Sequence, residues 1–464
     1  MKYSLIDIIE IEGNWWLPSI PNKKYRGKMK YNPTGYSELT IEGSLYPSLF
    51  SGSTDTIFGE SLTGESITLY NSYLSSWSTG DMETTSNRFY SAYIGENYLD
   101  KTQDRIESMN MSFSFLESWI DFNPLQVTFP TNSKEKISMV EYTPPEGYFR
   151  TIDSLKAKIY IQSKSYPSLS INDIRIKTYT FITIRPFTKQ SFEWFENVAY
   201  RLRQLLCVLV ARPVSIRYFY LCPKKKRYVD NSKVKYMRDC GSYIFPQIGE
   251  VQSEIRNLHP REIPFTLEKI KPHFVSILNA WFSPGTRIDK ARDIIFTLSM
   301  LEESPIEFRF LSLIQALEAY DRTSGDNKYQ FDEDYEDVAQ VLINAIPSNL
   351  SQGHKASLKS RIIYGNEYSL RKRLTSLVKI LPKALHSIYT KGDTDNFVTR
   401  IVDTRNYLVH RDERTRGQVL DTGDLYIYTR FIELILTYYL LLEIGIPQRT
   451  VENELISHNA YRHA

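Results

Sequence analysis

Cysteine is scarce in this chain: three residues in 464, Cys207, Cys222 and Cys240, with no Cys-x-x-Cys spacing. An odd and sparse count argues against a disulfide framework or a structural zinc site, and it fits a reducing cytosol. Net charge is also small, at +3. That excludes whole-chain polyanion binding, so a nucleic-acid role requires local clustering of cations. No long apolar run is uninterrupted. The longest, Phe431 to Ile446, contains Glu433 and Glu443 and is shorter than the ~20 residues of a membrane span. It is expected as a buried helix of a soluble bundle. The first residues run straight into Asp7, Glu10 and Glu12, without the apolar core of a signal peptide. A cytoplasmic protein with no membrane partner is therefore expected. Common enzyme signatures are missing too. There is no phosphate loop and no His-Glu-x-x-His. Ser351-Gln352-Gly353-His354 lacks the setting of a hydrolase nucleophile. The seven histidines are scattered, so neither a metal nor a cofactor is expected.

Aromatics, by contrast, are abundant at 13%, with 33 Tyr and 23 Phe, which favours β-structure because rings pack well on pleated surfaces. Up to about Pro186 the chain alternates apolar and polar residues in short runs: Leu39 to Gly43, Ile67 to Tyr70, and most cleanly Ile174 to Phe181. Period-two alternation means one buried and one wet face, as in antiparallel sheets. Ser191 can cap a helix near 191–210, whose apolar residues Phe192, Phe195, Val198, Ala199, Leu202 and Leu206 fall at helical steps. Val214 to Leu221 alternates again, Pro223 to Arg227 reads as a basic hairpin tip, and Tyr243 to Ile248 can supply a last strand. From about Pro264 the spacing is helical, near 266–282, 287–302, 306–322, 332–346, 354–363, 368–381, 394–411 and 422–444. The fold class is thus α+β: an antiparallel β-rich, sandwich- or barrel-like domain over residues 1–260, then an all-α bundle over 264–464.

One segment late in the bundle can carry chemistry, Arg405-Asn406-Tyr407-Leu408-Val409-His410. A neutral imidazole can take the proton of a ribose 2′-OH or return one to the leaving oxygen. A guanidinium can hold a phosphate through two parallel N–H bonds and offset the charge that builds during transfer. With the substrate's own hydroxyl as nucleophile no metal is needed, and the product is a 2′,3′-cyclic phosphate. With 29 Arg and 7 His, about one comparable Arg–His spacing is expected by chance; requiring Asn after the Arg lowers that to ~5% of such chains.

The segment resembles the signature of HEPN ribonucleases. The helix Phe310 to Tyr320 resembles the early bundle helix of ApeA-type HEPN domains. Gly13-Asn14-Trp15-Trp16-Leu17-Pro18, Gly27-Lys28-Met29, Leu39 to Gly43, Ile57-Phe58-Gly59 and Gly64 to Leu69 are similar to the ApeA N-terminal domain. The resemblance implies an antiphage, abortive-infection endoribonuclease that works as a homodimer or higher homo-oligomer. Two Arg–His sets would line one RNA cleft. The β-rich domain would sense an unidentified phage trigger or hold the nuclease off. Arg405 would contact phosphate, His410 would do acid–base work and Asn406 would orient the site. Glu318 would anchor Arg405 or His410 from a neighbouring helix. Structured RNAs with exposed loops, tRNA among them, are the implied substrates.

Blander readings stand beside these. Arg405 can bridge to Asp403, Asp412 or Glu413 on a solvated helix, and His410 can be a satisfied histidine at a bundle end. Glu318 lies on an apolar helix, so it is either partnered by a cation or wet. Lys224, Lys225, Lys226 and Arg227 form either a solvated turn or a phosphate-contact patch. Arg371, Lys372 and Arg373 are either ordinary helix cations or a guide for RNA. Trp15-Trp16 reads as sheet core before a base-stacking platform. The alternative function is a non-catalytic RNA-binding or oligomerisation module. Geometry adds a condition. Residues five apart on an ideal helix lie about 140° from each other, so the segment bends or a second subunit completes the site.

Overall fold

The computed structural model describes the chain except residues 1, 47–55, 80–82, 104, 122–124, 129–138, 144–146, 171–173, 231–232, 248–257, 286, 302–303, 323–326, 391, 412–418 and 463–464. The chain divides into two compact units, Met1–Ser283 with Ser299–Leu301, and Pro284–Leu298 with Glu302–Ala464. The first four short helical pieces after the sheet, up to Phe282, belong to the first unit.

The first unit is built on strands β1 (Ile9–Trp16), β2 (Tyr25–Tyr31), β3 (Ser37–Glu42), β4 (Thr56–Ser61), β5 (Ser66–Tyr70), β6 (Tyr73–Thr79), β7 (Glu83–Phe89), β8 (Ser91–Gly95) and β9 (Ser108–Phe113). After the short helix α1 (Leu116–Ile120) come β10 (Leu125–Thr128), β11 (Met139–Tyr142), β12 (Tyr148–Ile152), β13 (Ala157–Leu169) and β14 (Ile174–Pro186). Helix α2 (Phe192–Val210) then precedes β15 (Ile216–Asp230) and β16 (Lys233–Ile244). Fourteen strands hydrogen-bond into one antiparallel sheet in the order β12-β13-β14-β9-β15-β16-β8-β5-β4-β1-β2-β3-β7-β6, and β10 and β11 pair separately. The expected β-rich architecture thus takes the form of one wide sheet.

Alternation dictates which residues line the interior. In β1 Ile9, Ile11 and Trp15 are buried while Glu10, Glu12 and Asn14 are exposed. Trp15 is fully buried and Trp16 nearly so, which makes the pair sheet core. Gly59 on β4 has a packing reason: a Cβ there would stand 2.3 Å from Cε3 of Trp15. Helix α2 starts where expected, with Ser191 Oγ accepting from Trp194 N at 3.2 Å, and it buries Phe192, Phe195, Val198, Leu202 and Leu206. The helix expected over 266–282 is divided into α3 (Leu267–Ile270) and α4 (Phe274–Phe282) by a 3-10 turn at Lys271–His273, where Pro272 has no N–H to continue the ladder.

Two expectations change in the β15–β16 hairpin. Lys224 to Arg227 are not at its tip, because β15 continues to Asp230 and pairs Lys224 with Asp239 and Arg227 with Tyr236; their side chains lie outside the described residues. Cys222 and Cys240 face each other across the strands and form a disulfide, leaving Cys207 as the free cysteine. The expectation against disulfide bonding is corrected to this extent: one bridge joins the two strands. Cross-strand neighbours in an antiparallel pair stand close enough to bridge. Burial pushes the Cys207 thiol up to about 12.

The second unit holds α5 (Ile288–Met300) up to Leu298, α6 (Ile306–Arg322), α7 (Asp332–Asn344), α8 (Gln352–Ile363), α9 (Leu370–Ile380), α10 (Lys383–Thr390), α11 (Thr394–His410), α12 (Thr422–Glu443), α13 (Gln448–Ser457) and α14 (Asn459–Arg462). Helix α6 packs on α12 and α9, and α9 packs on α11. Phe310, Leu313, Ile314 and Leu317 from α6 are buried, as are Leu374, Leu377 and Val378 from α9, with Ile432, Ile435 and Leu436 from α12. Among the described residues α12 is a helix long and apolar enough to cross a membrane, and 67% of its apolar stretch is buried. Its three carboxylates have cationic partners, Asp424 pairing with Arg400 at 2.7 Å. Glu433 takes Arg430 at 3.0 Å and Arg309 at 3.6 Å, and Glu443 takes Arg287 at 3.5 Å and the Tyr320 hydroxyl at 2.9 Å.

Candidate functional site

Helix α11 carries the whole segment Arg405 to His410 without a break. Asp393 caps it, its carboxylate accepting from Asn396 N at 2.9 Å. Phe397, Val398, Ile401 and Thr404 are the buried side. Phe397 stacks on Tyr428 of α12 at 4.7 Å and meets Phe431 at 5.0 Å, while Arg400 pairs with Asp424 at 2.7 Å. The buried Thr404 hydroxyl accepts from Leu420 N at 3.0 Å. These contacts hold the last helical turn and the return of the chain into α12 in a fixed relation. The helix stops at His410 because Arg411 turns left-handed, φ 53°, and its N–H bonds Tyr407 O at 2.7 Å.

On this helix Arg405 and Asn406 are part-buried and His410 is exposed. Arg405 Nη1 donates to Asn406 Oδ1 at 3.1 Å. No ion pair ties Arg405 to a carboxylate among the described residues, and Asp412 and Glu413 lie outside them. Asp403, the other suggested partner, faces Arg371 of α9 at 3.7 Å instead. A continuous helix sets Arg405 and His410 about 140° apart around the axis. The bend that would bring them together within one chain does not occur.

Glu318 does have a cationic partner, but it is Arg322 one turn along α6, at 3.0 Å, so the suggested anchoring of Arg405 or His410 is not what its carboxylate does here. Arg322 also reaches Glu367 at 3.4 Å. Arg373 is corrected as well. Only 1% of it is exposed; Nη1 bonds Asp321 Oδ2 at 2.9 Å and Nε bonds Tyr368 O at 3.0 Å. It is a structural cation and is not open to RNA. Arg371 and Lys372 remain on the surface. Asp321, which makes Arg373 possible, escaped the sequence reading; its signal was an acidic residue close to the end of a largely apolar helix.

A large antiparallel sheet followed along the chain by an α-helical bundle is the architecture expected of a HEPN-type protein with a β-rich N-terminal domain. The family comparisons agree with that class. The Apea-like HEPN family matches residues 311–450 and ApeA N-terminal domain 1 matches residues 10–281. The chain belongs to the ApeA family. No curated protein and no solved structure matches it.

Proposed function

We propose that the chain is a metal-independent RNA endonuclease of antiphage defence, active as a homodimer and gated by its N-terminal domain. The observation that carries the reading is the state of Arg405: a part-buried guanidinium bonded to Asn406 at 3.1 Å, beside an exposed His410, and without a carboxylate among the described residues to neutralise it. An arginine in that state keeps its remaining donors for an anion.

In this reading a deprotonated His410 takes the proton from a ribose 2′-OH. The oxygen attacks the adjacent phosphorus, and the P–O5′ bond breaks. A protonated His410, of the second copy, returns a proton to the departing 5′-oxygen. Arg405 holds the non-bridging oxygens as their charge grows. The products are a 2′,3′-cyclic phosphate and a free 5′-hydroxyl, with no net consumption of water at this step. Single-stranded loops are the accessible targets, tRNA loops among them.

The angular separation of Arg405 and His410 on one unbent helix favours a second reading, in which the bundle binds RNA or oligomerises without cutting. Incubation of the wild-type chain and His410→Ala with total RNA in chelator separates the two. Cleavage by the wild type alone, leaving cyclic phosphates, supports the nuclease. Retention of RNA without cleavage under any condition supports the binding module.

A further inference from the structure

The two wet faces of the sheet's ends differ in charge. On β1, β2 and β3, cross-strand neighbours alternate in sign: Glu10 opposite Lys30, Lys30 opposite Glu38, and Glu38 opposite Arg88 of β7. A groove of about 410 Å³ there is lined by both signs, and Lys28 and Glu10 pair at 2.6 Å. That is the ordinary, mutually neutralised surface of a sheet.

The outward positions of β12, β13, β14, β9 and β15 carry a different set. The cations there are Lys158, Lys164, Lys177 and Arg185. No carboxylate shares those positions among the described residues. Glu117, from α1, takes Arg217 at 3.9 Å and the Thr180 N–H at 3.0 Å, and with Asp7 it lies near enough to act on the Tyr218 hydroxyl at one edge of the face. Aromatic rings fill the spaces between the cations. Tyr166 meets Tyr179 at 6.0 Å, Tyr179 meets Tyr218 at 6.3 Å, and Tyr218 lies parallel to Tyr220 at 6.4 Å. At the other corner Phe149 and Tyr160 are 4.7 Å apart, with Lys158 over the first ring at 5.8 Å and Arg185 over the second at 5.6 Å. Phe149 is 44% and Tyr166 54% exposed, a cost to solubility that cross-strand pairing alone does not require.

We propose that this face is a binding platform for single-stranded nucleic acid, separate from the residues assigned to cleavage. Cations without carboxylates select a polyanion. Exposed rings interleaved with them select one that offers flat π-faces, because bases stack on aromatics with little sequence preference. A duplex hides its bases, and an acidic peptide gains nothing from the rings. Five strands at ~4.8 Å spacing make a surface about 20 Å across, room for about four nucleotides. The ligand is a phosphodiester strand with unstacked bases, as RNA or as DNA.

The test uses the full chain carrying His410→Ala, so that bound RNA is not cut, with fluorescent U12 RNA, T12 DNA and a 12-base-pair duplex as probes. Single strands are expected to bind more tightly than the duplex, with affinity falling steeply with salt. Phe149→Ala and Tyr166→Ala, both exposed positions, are each expected to weaken single-strand binding by about 5- to 100-fold. Lys164→Glu with Lys177→Glu is expected to weaken it further and to lower the salt slope by about one to two. Ultraviolet crosslinks should map to peptides within residues 148–185 and 216–222. Comparison of U12 with T12 tells RNA from DNA. Unchanged affinity in the folded aromatic variants overturns the platform. So does equal binding of duplex, heparin or an acidic peptide, which would make the face a plain cationic patch. None of these outcomes depends on whether the chain cleaves RNA.

Discussion

Arg405 donates from Nη1 to Oδ1 of Asn406 at 3.1 Å, and this one neighbour orients a guanidinium that no described carboxylate claims. Its use therefore rests on the planar fork of donors as much as on the positive charge. A lysine keeps the charge but cannot make two parallel bonds to phosphate. Arg405→Lys is expected to fold normally and to cut RNA about 100- to 1000-fold more slowly than wild type, the cost of losing a donor aimed at developing charge. Initial rates on a defined RNA check it. A lysine variant within about threefold of wild type would leave simple electrostatic attraction as the arginine's contribution.

The five helical steps without a break from Arg405 to His410 lead to a stricter expectation about assembly. If one cleft draws Arg405 from one copy and His410 from the other, two inactive proteins should rescue each other. In a mixed dimer of Arg405→Ala and His410→Ala, one Arg–His combination is intact and the other is doubly defective. Mixing and re-equilibration of the two variants should restore a substantial fraction of wild-type cleavage, whereas each alone stays inactive. If activity stays at the level of the single variants while exchange of subunits is verified, each site belongs to a single chain.

Much of this was readable from residues. Strict alternation from Ile174 to Phe181 marks β14 because period two has one structural meaning. The helix caps at Ser191, Asp393 and Asp421 sit where helical spacing begins. The features that stayed hidden depend on long-range pairing. Cys222 and Cys240 are separated by 18 residues, which says nothing until the register that pairs Asp230 with Lys233 is fixed; a hairpin tip read at Pro223 to Arg227 puts them out of register. Glu318 was expected to meet Arg405 or His410 from another helix, but Arg322, four residues along its own helix, took it. Arg371, Lys372 and Arg373 look alike in sequence, but 100° steps send the first two outward and the third into the core.

That inward turn gives Arg373 a role that can be separated from RNA. A buried ion pair costs little to keep but much to halve, since the remaining charge is stranded away from water. Arg373→Ala takes from Asp321 its cation at 2.9 Å and from the Tyr368 carbonyl its donor at 3.0 Å, and it is expected to destabilise the helical unit by about 3–5 kcal/mol. Lys372→Ala, at an exposed position, should cost less than about 0.5 kcal/mol. Denaturant unfolding of the two variants measures the contrast. Equal stabilities would mean that the other neighbours of Asp321 offset the loss of the guanidinium.

Glu117 supplies the pH-dependent case. Burial is the largest influence on its carboxyl and raises its pKa above the usual carboxylate range, against the lowering effects of the Thr180 N–H and Arg217. The folded state therefore holds this proton more firmly than the unfolded chain does. Its contribution to stability is complete below the unfolded-state pKa and declines as pH rises through the folded one. At neutral pH the ionised group is a standing penalty. Glu117→Gln removes the charge and keeps an oxygen for the Thr180 N–H at 3.0 Å. Its melting temperature should exceed that of wild type at pH 8, and the difference should shrink towards zero as pH falls to about 4. With 36% of the side chain exposed and Arg217 as far as 3.9 Å, the gain is modest, because a solvent-screened pair at that distance contributes little. A variant less stable than wild type at pH 8 would show that pairing with Arg217 outweighs the cost of burial, reversing the sign assigned here.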